Sequence, residues 1–167
     1  LISVNDKKVE INKEILEQQV VIIDIGFFTT DIVVFKKGES IKEVTFPFGI
    51  SFMYDMLRDD LIKKTDLTLI DIRDIEEIFL KGYMVYENEK IAIDKSIYIE
   101  RLKEKIKASV ITVGLKDLVK KSDITIMTGG GSKILFGKGD RFDNAMGYLK
   151  ILMVEKLKEE QKSVGVE

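Results

Sequence analysis

Two aspartates, a glycine and two threonines interrupt an apolar stretch near the start of the chain, "VVIIDIGFFTTDIVVF" at residues 20–35. These polar positions are Asp24, Gly26, Thr29, Thr30 and Asp31. Glycine lets the backbone approach a ligand closely, threonine hydroxyls and N–H groups bind phosphate oxygens, and a carboxylate holds magnesium or orients water. The pattern is therefore typical of a turn that binds the β- and γ-phosphates of a nucleotide. The same residue types also satisfy hydrogen bonds in ordinary hairpin turns, and that alternative stays open.

A second candidate site is the run "IMTGGGS", in which Gly129, Gly130 and Gly131 stand between an apolar strand and the start of a helix. Three consecutive glycines are costly in conformational entropy, so a plain turn rarely needs them all. They allow a flat or bulky ligand to lie on the backbone, and the following helix offers N–H groups to an anion. A structural corner is the alternative. The occurrence of both motifs, in this order and roughly 100 residues apart, favours a nucleotide site.

The phosphate-type turn requires two flanking strands, and the sequence predicts both. Residues 20–26 and 31–35 are β-branched and apolar, and "KKGES" supplies a turn before a third strand in "IKEVTFPF". A three-stranded meander is therefore expected. Residues 1–12 alternate apolar and polar around Asn5 and Asp6, which predicts a separate short hairpin.

Helices are predicted after the meander. "SFMYDMLRDDLIKKT" follows Gly49 and predicts an amphipathic helix with Ser51 as its N-cap. Its expected apolar face is Phe52, Met53, Met56, Leu57, Leu61 and Ile62. Residues 71–81 predict a second helix ended by Gly82, followed by a hairpin in "YMVYENEKIAI".

The rest of the chain is predicted to be helical around one strand. Residues 94–121 indicate one or two helices broken near Gly114, and "KASVITVGLKDLVKK" within them is expected to be core. "DITIMTGGGSKIL" indicates a short buried strand, the glycine turn and a helix start. The segment from Phe142 to about Lys162 is expected to be helical, with a charged end.

Composition limits the chemistry that these elements can carry. The 167 residues are the usual size of one domain, and 45% hydrophobic with 34% charged residues indicate a folded chain. A net charge of −2 gives no overall field for nucleic acid or an anionic membrane. The absence of cysteine and histidine excludes disulfides, the usual zinc sites and catalysis by imidazole or thiolate. No long apolar span or leader is visible, so a cytoplasmic location is expected, and the bias toward Ile and Lys points to an AT-rich bacterial genome.

The two motifs together resemble a known superfamily. "IIDIGFFTTDIVVF" resembles the second phosphate motif of the actin, sugar kinase and chaperone ATPase superfamily, and "ITIMTGGGSKIL" resembles its adenosine motif. "FDNAMGYLKIL" and "FPFGISFMYDMLRDDL" are similar to the plasmid-segregation actins of the ParM/StbA group and their archaeal relatives. The resemblance covers residues 18–155. It implies an α/β fold of the ribonuclease H-like, actin-like ATPase type: a mixed sheet with a three-stranded meander, then helices, with a mainly helical insertion.

The same resemblance predicts the division of the chain. Residues 1–18 would form an N-terminal hairpin and lead-in, and residues 19–70 the first part of the actin-like subdomain. Residues 71–121 would form the helical insertion, and residues 122–167 the remainder of the subdomain with its closing helix.

The resemblance implies ATP or GTP with magnesium as the ligand. Asp24 would be the catalytic and metal residue, acting through a magnesium-bound or attacking water. Nucleotide contacts would come from Gly26, Thr29, Thr30, Asp31, Gly49, Gly129, Gly130, Gly131 and Ser132. Among these, Asp31 would position water, Gly49 would face the sugar, and the three glycines would line the adenosine. A middle-helix residue would contact the base or ribose, with Glu76, Glu77 and Lys81 as the candidates.

Two departures from the superfamily pattern qualify this prediction. Phe27 and Phe28 replace the small residues often found in the phosphate turn, and their bulk could restrict the pocket or pack against a neighbouring subdomain. The first D-x-G phosphate loop of the superfamily is not found, so the chain resembles the second half alone. It is interpreted as a fragment of a longer protein, the alternative being a protein that lost its first half. Phosphoryl transfer needs groups from both sides of the cleft, so this chain alone is expected to be inactive.

The leading functional hypothesis is a filament-forming, plasmid-segregating ATPase. It would self-associate into filaments and meet DNA through a DNA-binding adaptor protein, with no direct nucleic-acid or membrane contact. One alternative is a non-filamentous nucleotide-binding scaffold of the division or pilus-assembly type. Another is a small-molecule kinase or activator ATPase of the same superfamily.

Overall fold

The computed structural model describes residues 2–5, 8–11, 17–139, 142–144, 146 and 149, with only the backbone for the first two ranges. Strand β1 (Ile2–Asn5) pairs antiparallel with β2 (Lys8–Ile11), and Asn5 lies opposite Lys8. The predicted N-terminal hairpin is therefore confirmed. The closing helix predicted from Phe142 onward lies largely outside the described residues.

A four-stranded mixed sheet carries both sequence motifs. Strands β3 (Gln19–Ile25), β4 (Thr30–Lys36) and β5 (Glu39–Phe46) form the expected antiparallel meander. Strand β8 (Ile124–Thr128) joins β3 in parallel, which gives the order β5-β4-β3-β8. The ends of β3 and β8 therefore lie side by side.

The connection between β5 and β8 is mostly helical, as predicted. Helix α1 (Ile50–Lys64) is followed by α2 (Ile72–Lys81), which Asp71 caps and Gly82 ends. The hairpin β6 (Tyr83–Tyr86) and β7 (Glu89–Ala92) precedes α3 (Lys95–Thr112) and α4 (Lys116–Lys120), and Gly114 separates these two helices. A short helix, α5 (Gly130–Phe136), follows β8.

One face of the sheet packs on α1. Alternate residues along β3 and β4 are buried, as the period of two along a strand requires, and they meet an apolar stripe of α1. The same hydrophobic cluster includes buried residues of α2 and α3, among them Ile75, Phe79 and Leu102. The segment 71–121 therefore shares its core with the sheet, and the proposed division into four segments stays a prediction.

The start and the buried face of α1 differ from the prediction. The N-cap is Gly49 and not Ser51, because the first helical amides find carbonyls of the preceding hairpin turn instead of a capping side chain. The amide of Ile50 donates to the Gly26 carbonyl at 3.1 Å, and that of Ser51 to the Phe27 carbonyl at 2.8 Å. The buried residues of the helix are Ile50, Met53, Tyr54, Leu57 and Leu61, while the predicted Phe52, Met56 and Ile62 lie half-buried at the flanks.

Two burial predictions were wrong. The segment "KASVITVGLKDLVKK" is mostly exposed, and Leu115 is its only buried residue, since the buried face of α3 ends at Ile106. Strand β8 is half-buried along most of its length because it lies at the edge of the described sheet.

Among the described residues, none of the helices combines the length and apolar character that crossing a membrane would require.

Candidate functional site

The hairpin turn between β3 and β4 is held from behind by α1. The amide of Gly26 donates to the Thr29 carbonyl at 2.9 Å, which closes the turn. A Cβ atom at Gly49 would lie 2.8 Å from the Phe27 carbonyl oxygen, so only glycine allows the helix to approach this closely. Gly49 is therefore packed against the turn, and its expected contact with a sugar stays a prediction.

A row of polar side chains crosses the sheet next to this turn. Asp24 on β3 pairs in register with Asp31 on β4 and with Thr128 on β8, and Asp31 pairs with Thr45 on β5. Side chains of residues in register lie on the same face of a sheet. The hydroxyls of Thr29 and Thr45 both donate to the Asp31 carboxylate. Asp31 is thus held by one hydroxyl group of the hairpin turn and one of the neighbouring strand β5.

Asp24 is held by a residue from much later in the chain. The side-chain amide of Asn144 donates to Asp24 Oδ2 at 2.6 Å, and the Thr128 hydroxyl donates to Asn144 Oδ1 at 3.3 Å. These contacts join the end of β3, the end of β8 and the segment that follows α5.

The glycine turn lies directly against the end of β3. Gly129 has φ +83°, in the left-handed region that favours glycine. A Cβ atom there would collide with Asp24 Oδ1 and lie 2.6 Å from the Ile25 carbonyl oxygen. A Cβ atom at Gly131 would lie 2.7 Å from the same carbonyl oxygen. The two motifs, about 100 residues apart in sequence, are therefore in contact.

These elements enclose a cavity of about 490 Å³, within the range of small-molecule sites. Its lining residues are Asp24, Gly26, Phe27, Ile50, Tyr54, Glu76, Gly129, Gly130, Gly131, Ile134 and Asn144. Five of the ten residues predicted to be catalytic or to contact the nucleotide are in this set: Asp24, Gly26 and the three consecutive glycines.

Other residues predicted to bind nucleotide do not line the cavity. Thr30 is fully buried and donates its hydroxyl to the Phe48 carbonyl at 2.9 Å, because it lies opposite Ile25 on the core face of the sheet. Ser132 is also fully buried, and its hydroxyl donates to the Thr128 carbonyl. Thr29 and Asp31 bond to each other beside the cavity. In this structure all four side chains form hydrogen bonds within the protein.

One of the three middle-helix candidates lines the cavity. Glu76 lines the cavity, whereas Glu77 and Lys81 form an ion pair one helical turn apart and lie along a different depression. Hydrogen bonding to Lys81 and its positive charge lower the pKa of the exposed Glu77 carboxyl. Glu76 is therefore the acidic residue of α2 that a ligand in the cavity would meet.

Several lining residues were not identified from the sequence. Tyr54 lies in the cavity wall, where burial, and secondarily the charge of Glu76, raises the pKa of its hydroxyl to about 12. Tyr54 stands four residues after Ile50, so the sequence places both on one face of the predicted helix. Residues of the hydrophobic core have the same spacing, so the sequence does not distinguish a cavity residue from a core residue. Asn144 stands in the quoted segment "FDNAMGYLKIL", yet no sequence signal connects it to Asp24.

The donors present suit a metal bound together with a ligand. Across the part of the chain that the structure describes, no group of three or more acidic side chains could hold an ion. Magnesium is commonly bound through one or two carboxylates together with substrate phosphates and water. Asp24, at the edge of the cavity, fits that kind of site.

Comparison with known proteins identifies the family. The family model of archaeal MreB-like actin homologues, C-terminal part, matches residues 22–138. No curated protein matches the sequence significantly.

Solved structures of actin-like proteins share the fold. They include the archaeal actin homologue Ta0583 (19% identity, TM-score 0.67, 83% of this chain and 49% of that one). MreB5 of Spiroplasma citri bound to ADP gives 18% identity and a TM-score of 0.64 over 91% of this chain and 58% of that one. A 15-stranded ParM filament from Clostridium botulinum gives 22% identity and a TM-score of 0.60 over 72% of this chain and 38% of that one.

The chain thus spans roughly half the length of these proteins, between 38% and 58% of each. The shared architecture confirms the predicted fold: a mixed sheet with a meander, helices, and the glycine turn after the last described strand. By the match over residues 22–138, the chain belongs to the archaeal MreB-like family of actin homologues and contains its C-terminal domain.

Proposed function

We propose that this chain is the nucleotide-binding half of a filament-forming, actin-like ATPase. The observation that carries the proposal is the meeting of Asp24, the Gly26 turn and Gly129–Gly131 around one cavity. The cavity offers glycine backbone for close approach, one carboxylate at its edge, and Tyr54 and Glu76 on its helical wall. The ligand is ATP or GTP with magnesium.

Each part of the nucleotide has a distinct place in this proposal. The phosphates lie toward Gly26 and Asp24, where the carboxylate holds the magnesium hydration shell or orients a water. The adenosine or guanosine lies over the glycine turn, and Glu76 accepts hydrogen bonds from the ribose or base. The ADP-bound state of MreB5 from Spiroplasma citri, which shares the fold, supports a nucleotide as the ligand class.

Hydrolysis by this chain alone is not expected. Phosphoryl transfer depends on groups positioned on both sides of the transferred phosphoryl group. The chain spans about half the length of the related structures. We therefore assign binding to this half and turnover to the full-length protein.

The cellular role that we propose is plasmid segregation, as in the ParM/StbA group. The ParM filament from Clostridium botulinum supports self-association for a chain of this fold. A net charge of −2 provides no general attraction for DNA, so a DNA-binding adaptor protein would connect the filament to its cargo in the cytoplasm.

A binding experiment tests the nucleotide site. Wild-type protein is titrated with fluorescent ATP and GTP analogues, with magnesium and with EDTA. Asp24→Ala is expected to lower the magnesium-dependent affinity at least about tenfold, since it removes the carboxylate at the cavity edge. Asp59→Ala removes an exposed aspartate of α1 outside the cavity and should stay within about twofold of wild type. Absence of wild-type binding to both nucleotides at millimolar concentration would refute the nucleotide site.

Sedimentation of the full-length protein tests filament formation. Pelleting that requires nucleotide and magnesium supports the filament. Nucleotide binding without any polymer would instead favour the scaffold of the division or pilus-assembly type. Turnover that depends on an added small molecule would favour a kinase or activator ATPase.

A further inference from the structure

The side chain of Asn144 connects two strands of the sheet at the cavity. Its amide nitrogen donates to Asp24 Oδ2 at 2.6 Å, and its amide oxygen accepts from the Thr128 hydroxyl at 3.3 Å. Asp24 and Thr128 lie in register on neighbouring strands. Asn144 therefore bridges adjacent positions of β3 and β8 from outside the sheet, and it also lines the cavity.

We propose that Asn144 is the positioning residue of Asp24, holding its carboxylate in one orientation toward a cation bound in the cavity. This inference rests on the proposed nucleotide and magnesium site. It adds a residue, 120 positions along the chain from Asp24, for which no role was predicted from the sequence.

Both oxygens of Asp24 have close neighbours in this arrangement. Oδ2 accepts from Asn144, while Oδ1 lies so close to Gly129 that a side chain there would collide with it. The carboxylate is thus confined from two sides, which lowers the entropy lost when it engages a metal-bound water. The Asp24 carboxylate can only accept, so it sets which end of the Asn144 amide faces it, and the amide oxygen is left to accept from the Thr128 hydroxyl.

The chemistry of the donor matters as much as its position. An asparagine amide carries no net charge, so it orients the carboxylate while leaving its negative charge for a cation. A lysine or arginine in the same place would form an ion pair and compete with the metal. A neutral donor is therefore the appropriate partner for a carboxylate that must engage magnesium.

Asn144→Ala and Asn144→Leu test the proposal, the second variant keeping a side chain of similar size. Both are expected to lose at least about tenfold in the magnesium-dependent gain of nucleotide affinity, with the affinity in EDTA changed less than about twofold. Ser40→Ala is the matched control, because it removes another side-chain donor to a carboxylate, on Glu43 at 2.8 Å, outside the cavity. A general structural role for Asn144 would instead reduce affinity equally with and without magnesium, and that result would overturn the proposal.

A second measurement separates this inference from the proposed function. Urea unfolding of wild type, Asp24→Ala, Asn144→Ala and the double variant, all without nucleotide, forms a double-mutant cycle. Non-additive shifts in the urea midpoint support the hold of Asn144 on Asp24, and additive shifts overturn it. If wild type binds no nucleotide, the proposed function fails, while the cycle still decides whether Asn144 holds Asp24.

Discussion

At the residue scale, three neighbours of Asp24 are small or uncharged, and a fourth, Asp31, lies in register with it on β4. Gly129 leaves room for its carboxylate, Asn144 holds it, and Thr128 lies beside it in register. The sequence singled out Gly129 as a site residue, because a plain turn rarely needs three consecutive glycines, but it predicted no contact between Gly129 and Asp24. It did not reveal the other two, since a single asparagine or threonine is common in any helix or strand.

Gly129→Ala tests the contact between the two motifs. The new Cβ atom would collide with the Asp24 carboxylate and would also force alanine into a left-handed conformation. Gly137→Ala is the matched control, because Gly137 has φ +66° but a Cβ atom there meets nothing within 4 Å. In urea unfolding, Gly129→Ala should lose at least about 2 kcal/mol more stability than Gly137→Ala. Equal losses would mean that the two motifs are not in contact.

At the scale of elements, helices α1 and α2 build one wall of the cavity together. Tyr54 of α1 packs on Phe79 of α2 with ring centroids 5.6 Å apart, and it lies near the charge of Glu76. The sequence predicted the first helix from its apolar spacing and the end of the second from Gly82, whereas the cap formed by Asp71 is seen only in the structure. It misplaced the start of α1, because the hydrogen bonds that begin this helix come from a turn in a different segment of the chain.

Burial of Tyr54 at the contact between α1 and α2 makes the stability of the fold decrease at alkaline pH. Burial raises the pKa of Tyr54 to about 12, above its value near 10 in an unfolded chain. The unfolded chain therefore loses its proton first, and this contribution to stability is full below about pH 10 and lost as the pH rises through about 12. We expect the urea midpoint of Tyr54→Phe to fall less than that of wild type between about pH 9 and pH 11. An equal fall in both proteins would contradict this expectation.

At the scale of the whole molecule, the described helices and the sheet share one hydrophobic core. Leu102 of α3 is fully buried in the same cluster as Val21 and Ile32 of the sheet. The predicted helical insertion thus shares one hydrophobic cluster with α1 and the sheet. We expect one cooperative unfolding transition for this core, and not separate transitions for residues 19–70 and 71–121.

Leu102→Ala tests this shared core. Removal of a fully buried leucine should cost about 2–5 kcal/mol and move the unfolding curves from circular dichroism and tyrosine fluorescence by the same amount. Leu69→Ala removes a leucine that is 81% exposed and should change stability by less than about 0.5 kcal/mol. Two separated transitions in the Leu102→Ala variant would support an independent insertion.

The sequence by itself determined the order of the elements, the positions of the two glycine-containing turns and the kinds of chemical group available to a site. These properties are local: the period of two along a strand, the apolar spacing of a helix and the freedom of glycine act over a few residues. Only the tertiary structure decided which polar residues meet. In the folded chain, Thr30 and Ser132 are buried, whereas Tyr54, Glu76 and Asn144 line the cavity. The physical reason is that strand pleating and the packing of distant segments set the direction of each side chain, and Asn144 and Asp24 are 120 residues apart.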